Sequence, residues 1–433
     1  MLSITSSPVR TLSGTAIVPA DKSISHRSVI FGALADGVTE VTNLLTGEDV
    51  LSTVAAFRSM GVLIEGPDSG RLRISGAGKF GLQAPSTELD LGNSGTSIRL
   101  LSGLLAGQRF HSRLTGDESL RRRPMGRVVD PLTAMGAVIQ SSRGCPPLDI
   151  HPGRGLTGIE YRMPVASAQV KSALLLAGLY AEGETVVYES TPTRDHTERM
   201  LAGFSNGRWK TGSAIRTNGD IALSGRRIVV PGDISSAAFL IVAATICPGS
   251  DLLLPGVGIN PTRSAVLAIL RLMGANIEIS SERLESNEPV CDLRVRSTSL
   301  TGIDIPSEFV ANAIDEFPVL AVAAAAASGV TRVRGATELR VKESDRIAAV
   351  VQGLGALGID AVEYPDGMDI TGGTLSSGSV ESFGDHRIAM AFAVAGCISE
   401  GAVEIRDADN IRTSFPNFVS LANSIGMSIA ESP

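Results

Sequence analysis

The residues of this chain best suited to chemistry begin with the run Pro19-Ala20-Asp21-Lys22-Ser23-Ile24-Ser25-His26-Arg27, after which apolar residues recur at helical spacing. We predict a strand end that turns into a helix, with Asp21 or Ser23 as its cap. A lysine, an arginine and the free N–H groups of the helix start would then share one turn, and such a place attracts anions. A capped surface helix with two solvated cations is the alternative interpretation.

A second segment of the same type, Pro231-Gly232-Asp233-Ile234-Ser235-Ser236, begins near the middle of the 433-residue chain. Two halves that open with similar strand-to-helix turns suggest a duplication, and such turns are natural places for a chain to pass between domains. We therefore predict a first domain over residues 20–230 and a second domain formed by residues 1–19 and 231–433.

Within each half, a unit of helix, glycine, strand, loop, helix, glycine and strand occurs three times, which predicts an α/β fold. The alanine-rich run from Leu320 to Ala327 is apolar on every side and is expected to be a buried central helix. The pattern therefore predicts two inverse α/β-barrel-like domains, each with buried helices and outer mixed sheets. The leading glycines of the six units are Gly37, Gly107, Gly183, Gly249, Gly329 and Gly401, and the trailing ones are Gly61, Gly136, Gly203, Gly274, Gly358 and Gly426.

The composition excludes several classes of function. With 43% hydrophobic and 19% charged residues the chain is an ordinary globular one. A formal net charge of −7 argues against general affinity for nucleic acid or an anionic membrane. An anionic ligand must therefore meet a local basic cluster.

Cysteine spacing and hydropathy bear on metal sites and on the compartment. Cys145, Cys247, Cys291 and Cys397 are far apart and lack histidines at metal-ligand spacing, so we expect reduced packing residues and no metal site. No signal-like start and no run of eighteen apolar residues is present, which predicts the cytoplasm.

Loops between the repeat units of the first half collect polar residues that a structural repeat does not need. The turn around Gly95 lacks the GxGxxG and GxxxxGK patterns, so neither a dinucleotide nor a nucleoside triphosphate site is supported. We expect Pro124 to occupy a first helical position, and Asp195 and Glu198 to form a capping pair that leaves Arg194 available to a ligand. The four stretches are Leu91–Arg99, Arg121–Pro124, Ser167–Lys171 and Arg194–Glu198.

Mixed-charge clusters mark the second half. Asp315 and Glu316 precede the alanine-rich helix, where desolvation would raise a carboxyl pKa toward that of a base. If Arg340–Arg346 is helical, Lys342 and Arg346 share a face with Glu343 beside it, and a surface i,i+4 ion network is the alternative. A third cluster spans Phe383–Arg387.

Four of these stretches, in this order, resemble the 5-enolpyruvylshikimate-3-phosphate synthase family: Asp21–Arg27, Ser167–Gln169, Arg340–Arg346 and Asp385–Arg387. The resemblance spans essentially the whole chain and implies two inverse α/β domains of three repeats each. It also implies transfer of the enolpyruvyl group of phosphoenolpyruvate to the 5-hydroxyl of shikimate 3-phosphate, with release of phosphate and no metal or organic cofactor. The expected partners are these two small molecules, with neither nucleic acid nor membrane, and the expected state is a monomer.

The resemblance also implies roles for individual residues. Asp315 and Glu343 carry the proton transfers together with Lys22, while Lys342 orients the shikimate hydroxyls; which carboxylate is the acid stays open. The first domain would hold mainly shikimate 3-phosphate, and the second would supply the proton-transfer residues and part of the phosphoenolpyruvate site. Residues implied on the shikimate 3-phosphate side are Ser23, Arg27, Ser167, Ala168, Gln169 and Arg194. Those implied on the phosphoenolpyruvate side are Lys22, Gly95, Arg123, Arg346 and Arg387.

Some positions depart from the family pattern. Ala168 replaces a serine of some members, which removes one phosphate donor. Thr413 stands where one branch has a lysine that contacts phosphoenolpyruvate, and whether Arg412 takes its place stays open. Leu100 replaces a proline of some members near Gly95, so the baseline sensitivity to glyphosate, the inhibitor of the family, is not fixed by the sequence.

Two other functions compete. UDP-N-acetylglucosamine enolpyruvyl transferase has a similar fold and the same donor, but it would need a reactive cysteine in a mobile basic loop, and none of the four cysteines lies in one. A non-catalytic repeat scaffold that binds phosphorylated ligands would gain nothing from Asp315 and Glu343, because carboxylates weaken the positive field that an anion needs.

Overall fold

A computed structural model of the chain describes residues 2–207 and 214–432. The chain divides into two compact units. The N-terminal unit comprises Ala20–Val230 and Glu285–Glu288, and the C-terminal unit comprises Met1–Pro19, Pro231–Leu284 and Pro289–Pro433. Each unit has its own apolar core.

Helices occur throughout the described residues. They are α1 (Lys22–Leu34), α2 (Glu48–Ser59), α3 (Gly95–Ala106), α4 (Glu118–Arg121), α5 (Gly126–Ala134), α6 (Ala168–Gly178), α7 (His196–Phe204), α8 (Ile234–Ile246), α9 (Ala265–Leu272), α10 (Ser307–Val310), α11 (Phe317–Ala325), α12 (Arg346–Ala356), α13 (His386–Ala395) and α14 (Phe418–Ser424). Short 3₁₀ turns cover Ala311–Ala313, Thr337–Val341 and Asp409–Thr413.

The strands alternate with these helices. They are β1 (Ser3–Ser7), β2 (Ser13–Thr15), β3 (Asp36–Thr42), β4 (Leu63–Asp68), β5 (Arg71–Ala77), β6 (Leu89–Asp90), β7 (Ser112–Thr115), β8 (Val138–Ser142), β9 (Cys145–His151), β10 (Leu156–Thr157), β11 (Glu160–Arg162), β12 (Ala181–Glu182), β13 (Glu184–Tyr188), β14 (Ile215–Asn218), β15 (Arg227–Val229), β16 (Asp251–Gly258), β17 (Asn276–Glu285), β18 (Glu288–Arg296), β19 (Val330–Val333), β20 (Ala361–Tyr364), β21 (Gly367–Thr371), β22 (Gly378–Glu381), β23 (Val403–Arg406) and β24 (Ser428–Ser432). The chain is thus a mixed α/β protein, and every sheet in the described part is open rather than closed into a barrel.

The N-terminal unit is built around three buried helices, α1, α3 and α6. Helices α3 and α6 approach so closely that a Cβ on Gly103 would lie 2.0 Å from the carbonyl oxygen of Ala173. Only a residue without a side chain fits at this crossing. Four sheets belong to this unit, in the strand orders β15-β3-β5-β4, β6-β7-β9-β8, β11-β13-β14 and β10-β12.

The C-terminal unit has a corresponding set, α8, α11 and α13, which pack against one another. All nine residues of α11 are buried, so the prediction of a buried alanine-rich helix is confirmed. Its sheets have the strand orders β22-β23-β1-β24, β17-β18-β16-β2 and β19-β21-β20. Strand β1 pairs antiparallel with both β23 and β24, so residues from the two ends of the sequence share one sheet.

Five of the six trailing glycines lie just after a helix, in the left-handed region. Their φ values are 84° at Gly61, 101° at Gly136, 101° at Gly274, 81° at Gly358 and 108° at Gly426. Glycine is favoured there because a side chain would strain the backbone. The exception, Gly203, lies inside α7.

Two local predictions were wrong. Helix α5 begins at Gly126 after Met125, so Pro124 lies before the helix. Asp195 precedes α7 without capping it; its carboxylate instead accepts two 2.9 Å hydrogen bonds from Arg199. Among the described residues, no helix combines the length and the apolarity needed to cross a membrane.

Candidate active site

Most of the predicted site residues lie at the N-terminal ends of the buried helices, where unpaired N–H groups point outward. In the N-terminal unit, Asp21 caps α1 by accepting a 2.8 Å hydrogen bond from the Ile24 N–H. Of the two predicted caps, Asp21 is therefore the one used. Ser23 follows within the first turn and is half-buried.

Lys22 is oriented by a carboxylate that the sequence did not single out. Its Nζ lies 2.5 Å from Oδ2 of the buried Asp49, and its side chain is 21% exposed. The ammonium group is therefore held in place yet still accessible. Asp49 belongs to the first turn of α2, where an acidic residue is ordinary, so nothing in the spacing marked it as a partner of Lys22.

Arg27 is buried and held by three hydrogen bonds. Its Nε donates to Thr197 Oγ1 at 2.7 Å, its Nη2 to Ser172 Oγ at 2.8 Å, and its Nη1 to the Ser23 carbonyl at 3.0 Å. Burial among these neutral groups lowers the pKa of Arg27 to about 10, and the charge of Glu198 opposes the shift. The guanidinium stays protonated at neutral pH, with its orientation fixed.

Arg194 is half-buried, and its positive charge contributes to the lowered pKa of Arg27. Beneath its loop lies an ion cluster around the fully buried Lys171, whose Nζ is 3.1 Å from Glu189 Oε2 and 2.6 Å from Glu198 Oε1. Lys171 Nζ also donates to the Thr193 carbonyl at 3.2 Å. Burial raises the pKa of Glu198, and Lys171 opposes this. Lys171 is thus a support of the loop rather than a donor to a ligand.

Gly95 opens α3 between two arginines. A Cβ at this position would lie 2.7 Å from Arg99 Nη1 and 3.0 Å from Arg123 Nη1. Arg99 Nη1 donates to Gln169 Oε1 at 2.8 Å, and Gln169 Nε2 donates to Thr96 Oγ1 at 3.1 Å. The starts of α3 and α6 are therefore joined by hydrogen bonds, and Gln169 is presented with its amide fixed.

The other members of this set are placed by the same helix ends. Ser167 caps α6 by accepting a 3.4 Å hydrogen bond from the Val170 N–H, and Ala168 is the first helical residue. Arg123 is buried and donates to Asn93 Oδ1 and, at 3.3 Å, to Ser119 Oγ. Of the three adjacent arginines, Arg123 is the one that reaches the vicinity of Gly95.

In the C-terminal unit Arg346 joins three carboxylates. Its Nη1 lies 3.2 Å from Asp315 Oδ1, its Nη2 2.6 Å from Glu343 Oε2, and its Nε 2.8 Å from Asp385 Oδ2. Burial disfavours the charged guanidinium, but Asp385, Glu343 and Asp315 outweigh it and hold the pKa of Arg346 above its usual value. Burial likewise disfavours ionised Asp385, yet Arg346 outweighs it and keeps the pKa of Asp385 below the usual value.

Asp315 also has other cations beside it. Lys342 Nζ lies 3.4 Å from Asp315 Oδ1, and Arg387 Nη1 donates to the Asp315 carbonyl at 2.9 Å. The condition of a helix over Arg340–Arg346 is not met, since Lys342 follows a 3₁₀ turn and α12 begins only at Arg346. The interpretation as a surface i,i+4 network is also wrong, since Arg346 is 1% exposed.

Three further residues from the sequence analysis remain to be placed in the C-terminal unit. Arg340 pairs with Asp345 at 2.7 Å and with Glu363 at 2.9 Å, which makes it structural. Thr413 is buried and donates to the Asn410 carbonyl at 2.8 Å. Arg412 is exposed.

Comparison with known proteins gives a consistent result. The family described as EPSP synthase (3-phosphoshikimate 1-carboxyvinyltransferase) matches residues 7–421. The 3-phosphoshikimate 1-carboxyvinyltransferase of Methylococcus capsulatus is 59% identical over 426 residues, covering 98% of each chain. That of Legionella pneumophila is 54% identical over 431 residues, covering 100% of each. A solved structure of EPSP synthase from Acinetobacter baumannii has a TM-score of 0.90 and 49% identity, with both chains fully covered.

Proposed function

The chain belongs to the EPSP synthase family, and on that premise we propose that it transfers the enolpyruvyl group of phosphoenolpyruvate to the 5-hydroxyl of shikimate 3-phosphate and releases phosphate. The observation that carries the proposal is the placement of Asp315 and Glu343 on one buried guanidinium, that of Arg346. Two carboxylates beside fixed cations suit a reaction that moves protons on an anionic substrate.

We assign proton acceptance to Asp315 and proton donation to Glu343. Asp315 Oδ1 faces Lys342 and Arg346, which favour its ionised form. Glu343 has a side chain 26% exposed, so it can take a proton from solvent. We assign to Lys22 the binding of phosphoenolpyruvate during the reaction.

The two half-reactions then balance. In the addition, the hydroxyl proton passes to Asp315 as the oxygen bonds to C2 of phosphoenolpyruvate, and Glu343 gives a proton to C3. The product is a tetrahedral ketal. In the elimination, a proton leaves C3 for Glu343 as the C2–O bond to phosphate breaks, and the proton on Asp315 leaves with the phosphate or through water.

We assign substrate binding to the helix ends described above. Shikimate 3-phosphate is held by the set Ser23, Arg27, Ser167, Ala168, Gln169 and Arg194, and phosphoenolpyruvate by the set Lys22, Gly95, Arg123, Arg346 and Arg387. Lys342 orients the shikimate hydroxyls. Guanidinium groups suit phosphate and carboxylate because they donate two parallel hydrogen bonds.

We also propose that the two units are the two domains of an inverse α/β fold with three repeats each. The buried helix sets α1, α3, α6 and α8, α11, α13 support this. We further propose a monomer in the cytoplasm. The compartment is supported by the four cysteines, which are all free. Sedimentation equilibrium tests the monomer.

The test is an assay of phosphate release with each substrate alone and with both together. We expect release only with both, and we expect Asp315→Asn to lower kcat by about 10²–10⁴. Asp304→Asn is the matched control, because Asp304 belongs to the same unit and has an exposed ion pair with Arg332. Release with UDP-N-acetylglucosamine in place of shikimate 3-phosphate would favour the related transferase, and the absence of any release would favour the binding scaffold.

A further inference from the structure

A buried arginine outside every motif noted above, Arg263, connects the start of α8 to the proposed proton acceptor. Its side chain is 4% exposed. Its Nη1 lies 3.8 Å from Asp315 Oδ2, and its Nη2 lies 3.3 Å from Oδ1 of Asp233, the residue that caps α8. Arg263 precedes α9, so a third element contributes to the surroundings of Asp315.

The same arginine also reaches the residue after Asp315. Arg263 Nη2 donates to Ser235 Oγ, and Ser235 Oγ donates to Glu316 Oε1. The side chain of Asp315 and that of Glu316 are thus tied to one guanidinium, directly and through one hydroxyl. The Asp233–Ser235 segment resembles the first helix start in sequence. In the C-terminal unit it binds Arg263 and, through Ser235, Glu316.

The contacts divide between the two carboxylate oxygens of Asp315. Lys342 and Arg346 lie against Oδ1, whereas Arg263 lies against Oδ2. A quarter turn of the carboxylate about its χ2 axis would lengthen the contacts to both oxygens, so these ion pairs favour one orientation of its plane. Among the described residues, the charged groups around Asp315 include the cations of Arg263, Lys342, Arg346 and Arg387 and, beyond them, the carboxylates of Asp233, Glu316, Glu343 and Asp385.

We propose that Arg263 is a positioning residue for the reaction: it fixes the plane of the Asp315 carboxylate and favours its ionised form. The inference rests on the proposed function, in which Asp315 accepts the proton of the shikimate hydroxyl. Arg263 acts through Asp315 and touches no substrate in this account.

The experiment compares Arg263→Met, Arg263→Lys and the control Arg271→Met in the phosphate-release assay across pH. Arg271 lies in the last turn of α9 and is exposed, so its loss removes the same charge from the neighbouring helix without touching Asp315. For Arg263→Met we expect kcat to fall about tenfold or more with both KM values nearly unchanged. The acid limb of kcat moves up by about one pH unit, because losing a nearby cation raises the pKa of Asp315.

Arg263→Lys keeps the charge but loses the fork of donors. We expect its acid limb to match the wild type while kcat falls by a smaller factor, and Arg271→Met to match the wild type in both. An unchanged kcat and limb in folded Arg263→Met overturns the proposal. Equal losses of kcat in both Arg263 variants with no shift of the limb also overturn it, since they indicate a structural role alone.

Thermal unfolding by circular dichroism shows whether each variant is folded. If Arg263→Met does not fold, Arg263→Lys decides: a kcat equal to the wild type overturns the positioning role, and a lowered kcat at constant KM supports it. The wild-type assay keeps the two proposals apart. Absence of product from both substrates in the wild type refutes the proposed function, whereas an active wild type with indifferent Arg263 variants refutes only this inference.

Discussion

Arg27 and Arg346 are both buried, but the first has neutral hydrogen-bond partners and the second has carboxylates, so their pKa values shift in opposite directions. Arg27 donates to hydroxyls and a carbonyl, and burial brings its pKa down to about 10. Arg346 is surrounded by carboxylates, which outweigh the effect of burial and raise its pKa. Removing either side chain leaves buried partners without their donor, a loss that commonly costs about 3–5 kcal/mol for an ion pair and about 1–3 for a neutral group. Losses of activity in variants of these two arginines therefore need a stability measurement beside them.

Gly95 makes a prediction about phosphoenolpyruvate and glyphosate. In Gly95→Ala the new methyl meets the guanidinium groups of Arg99 and Arg123 before it meets any ligand. We expect Arg123 to shift, and the KM for phosphoenolpyruvate to rise about tenfold. Because glyphosate is longer, its Ki should rise more than that KM.

The measurement is the ratio of glyphosate Ki to phosphoenolpyruvate KM in both proteins. Gly126→Ala is the control, since its Cβ would meet only Asp130 at an ordinary 3.7 Å. An unchanged ratio in Gly95→Ala would show that Gly95 does not line the shared site.

The buried His26 makes the free energy of unfolding depend on pH. Burial, followed by the charges of Lys22 and Arg27, holds the pKa of His26 well below its usual value. In the unfolded chain the His26 imidazole is protonated near pH 6.5, whereas in the folded chain it stays neutral to a lower pH. The folded state therefore loses stability as the pH falls below about 6.5. The full contribution is present above that pH.

In His26→Gln this titration is absent. Between pH 6.5 and 5 we expect the variant to lose less stability than the wild type, by up to about 1.4 kcal/mol per pH unit. Urea unfolding at pH 7.5, 6 and 5 gives the comparison. Parallel stability curves for the two proteins would contradict the prediction.

The sequence identified the residue types of the site better than their partners. Lys22 was predicted from its place at a helix start, whereas Arg123 and Arg346 were implied by the family resemblance. Asp49 and Arg263 were missed, since their roles depend on contacts between elements far apart in the sequence. Asp49 lies at a helix N-terminus and Arg263 in a polar turn before α9, where such residues are common, so neither stands out without coordinates.

Among the elements, the buried helices position the site because their starts combine a capping side chain with free N–H groups. Asp21, Ser94, Ser167, Asp345 and Asp385 each accept a hydrogen bond from the first turn of their helix. Caps of this kind contribute about 1 kcal/mol each. They also fix the direction in which the side chains of Lys22, Gln169, Arg346 and Arg387 leave the backbone.

The glycines that follow the helices make a prediction at this scale. Gly274 has φ 101° and nothing closer to its ideal Cβ than 3.6 Å, so Gly274→Ala tests backbone strain alone. We expect a loss of about 1–2 kcal/mol. Gly355 lies inside α12 with open space around it, and Gly355→Ala is expected to gain about 0.5–1 kcal/mol.

Urea unfolding of the two variants gives both values. Equal changes in the free energy of unfolding for Gly274→Ala and Gly355→Ala would show that the positive φ at Gly274 does not require glycine.

Repeats and the buried alanine-rich helix were predictable because they depend on spacing and apolarity. Element boundaries were less so. The Arg340–Arg346 stretch has helical spacing, but the chain there forms a 3₁₀ turn followed by a short non-helical link. From this link, outside α12, Lys342 pairs with Asp315 and Glu343 pairs with Arg346. Tertiary ion pairs decide that conformation, and no local pattern expresses them.

For the whole molecule, the two units differ in continuity along the chain. The sheets of the N-terminal unit use strands between Asp36 and Val229. Strand β1 of the C-terminal unit pairs Ile4 with Ile405 and Glu431. Closing so long a loop is slow, because its entropy is lost before the contacts form.

Refolding should follow this order. We expect amides of the β4–β5 hairpin to gain protection from hydrogen exchange before those of β1. Pulsed exchange during refolding, read by mass spectrometry, separates the two. Simultaneous protection would mean that β1 docks as early as the local hairpins.

The pairing of β1 also has a consequence during synthesis on the ribosome. At about 5–20 residues per second, the first strand waits on the order of 20–80 seconds for β23 and β24 to be made. A waiting strand is an aggregation hazard if it is apolar. Strand β1 reads Ser-Ile-Thr-Ser-Ser, with Ile4 as its one apolar side chain. A polar strand is less prone to aggregate while its partner strands are not yet made. We therefore expect Thr5→Val to increase the insoluble fraction in cell-free translation while leaving the refolded protein stable.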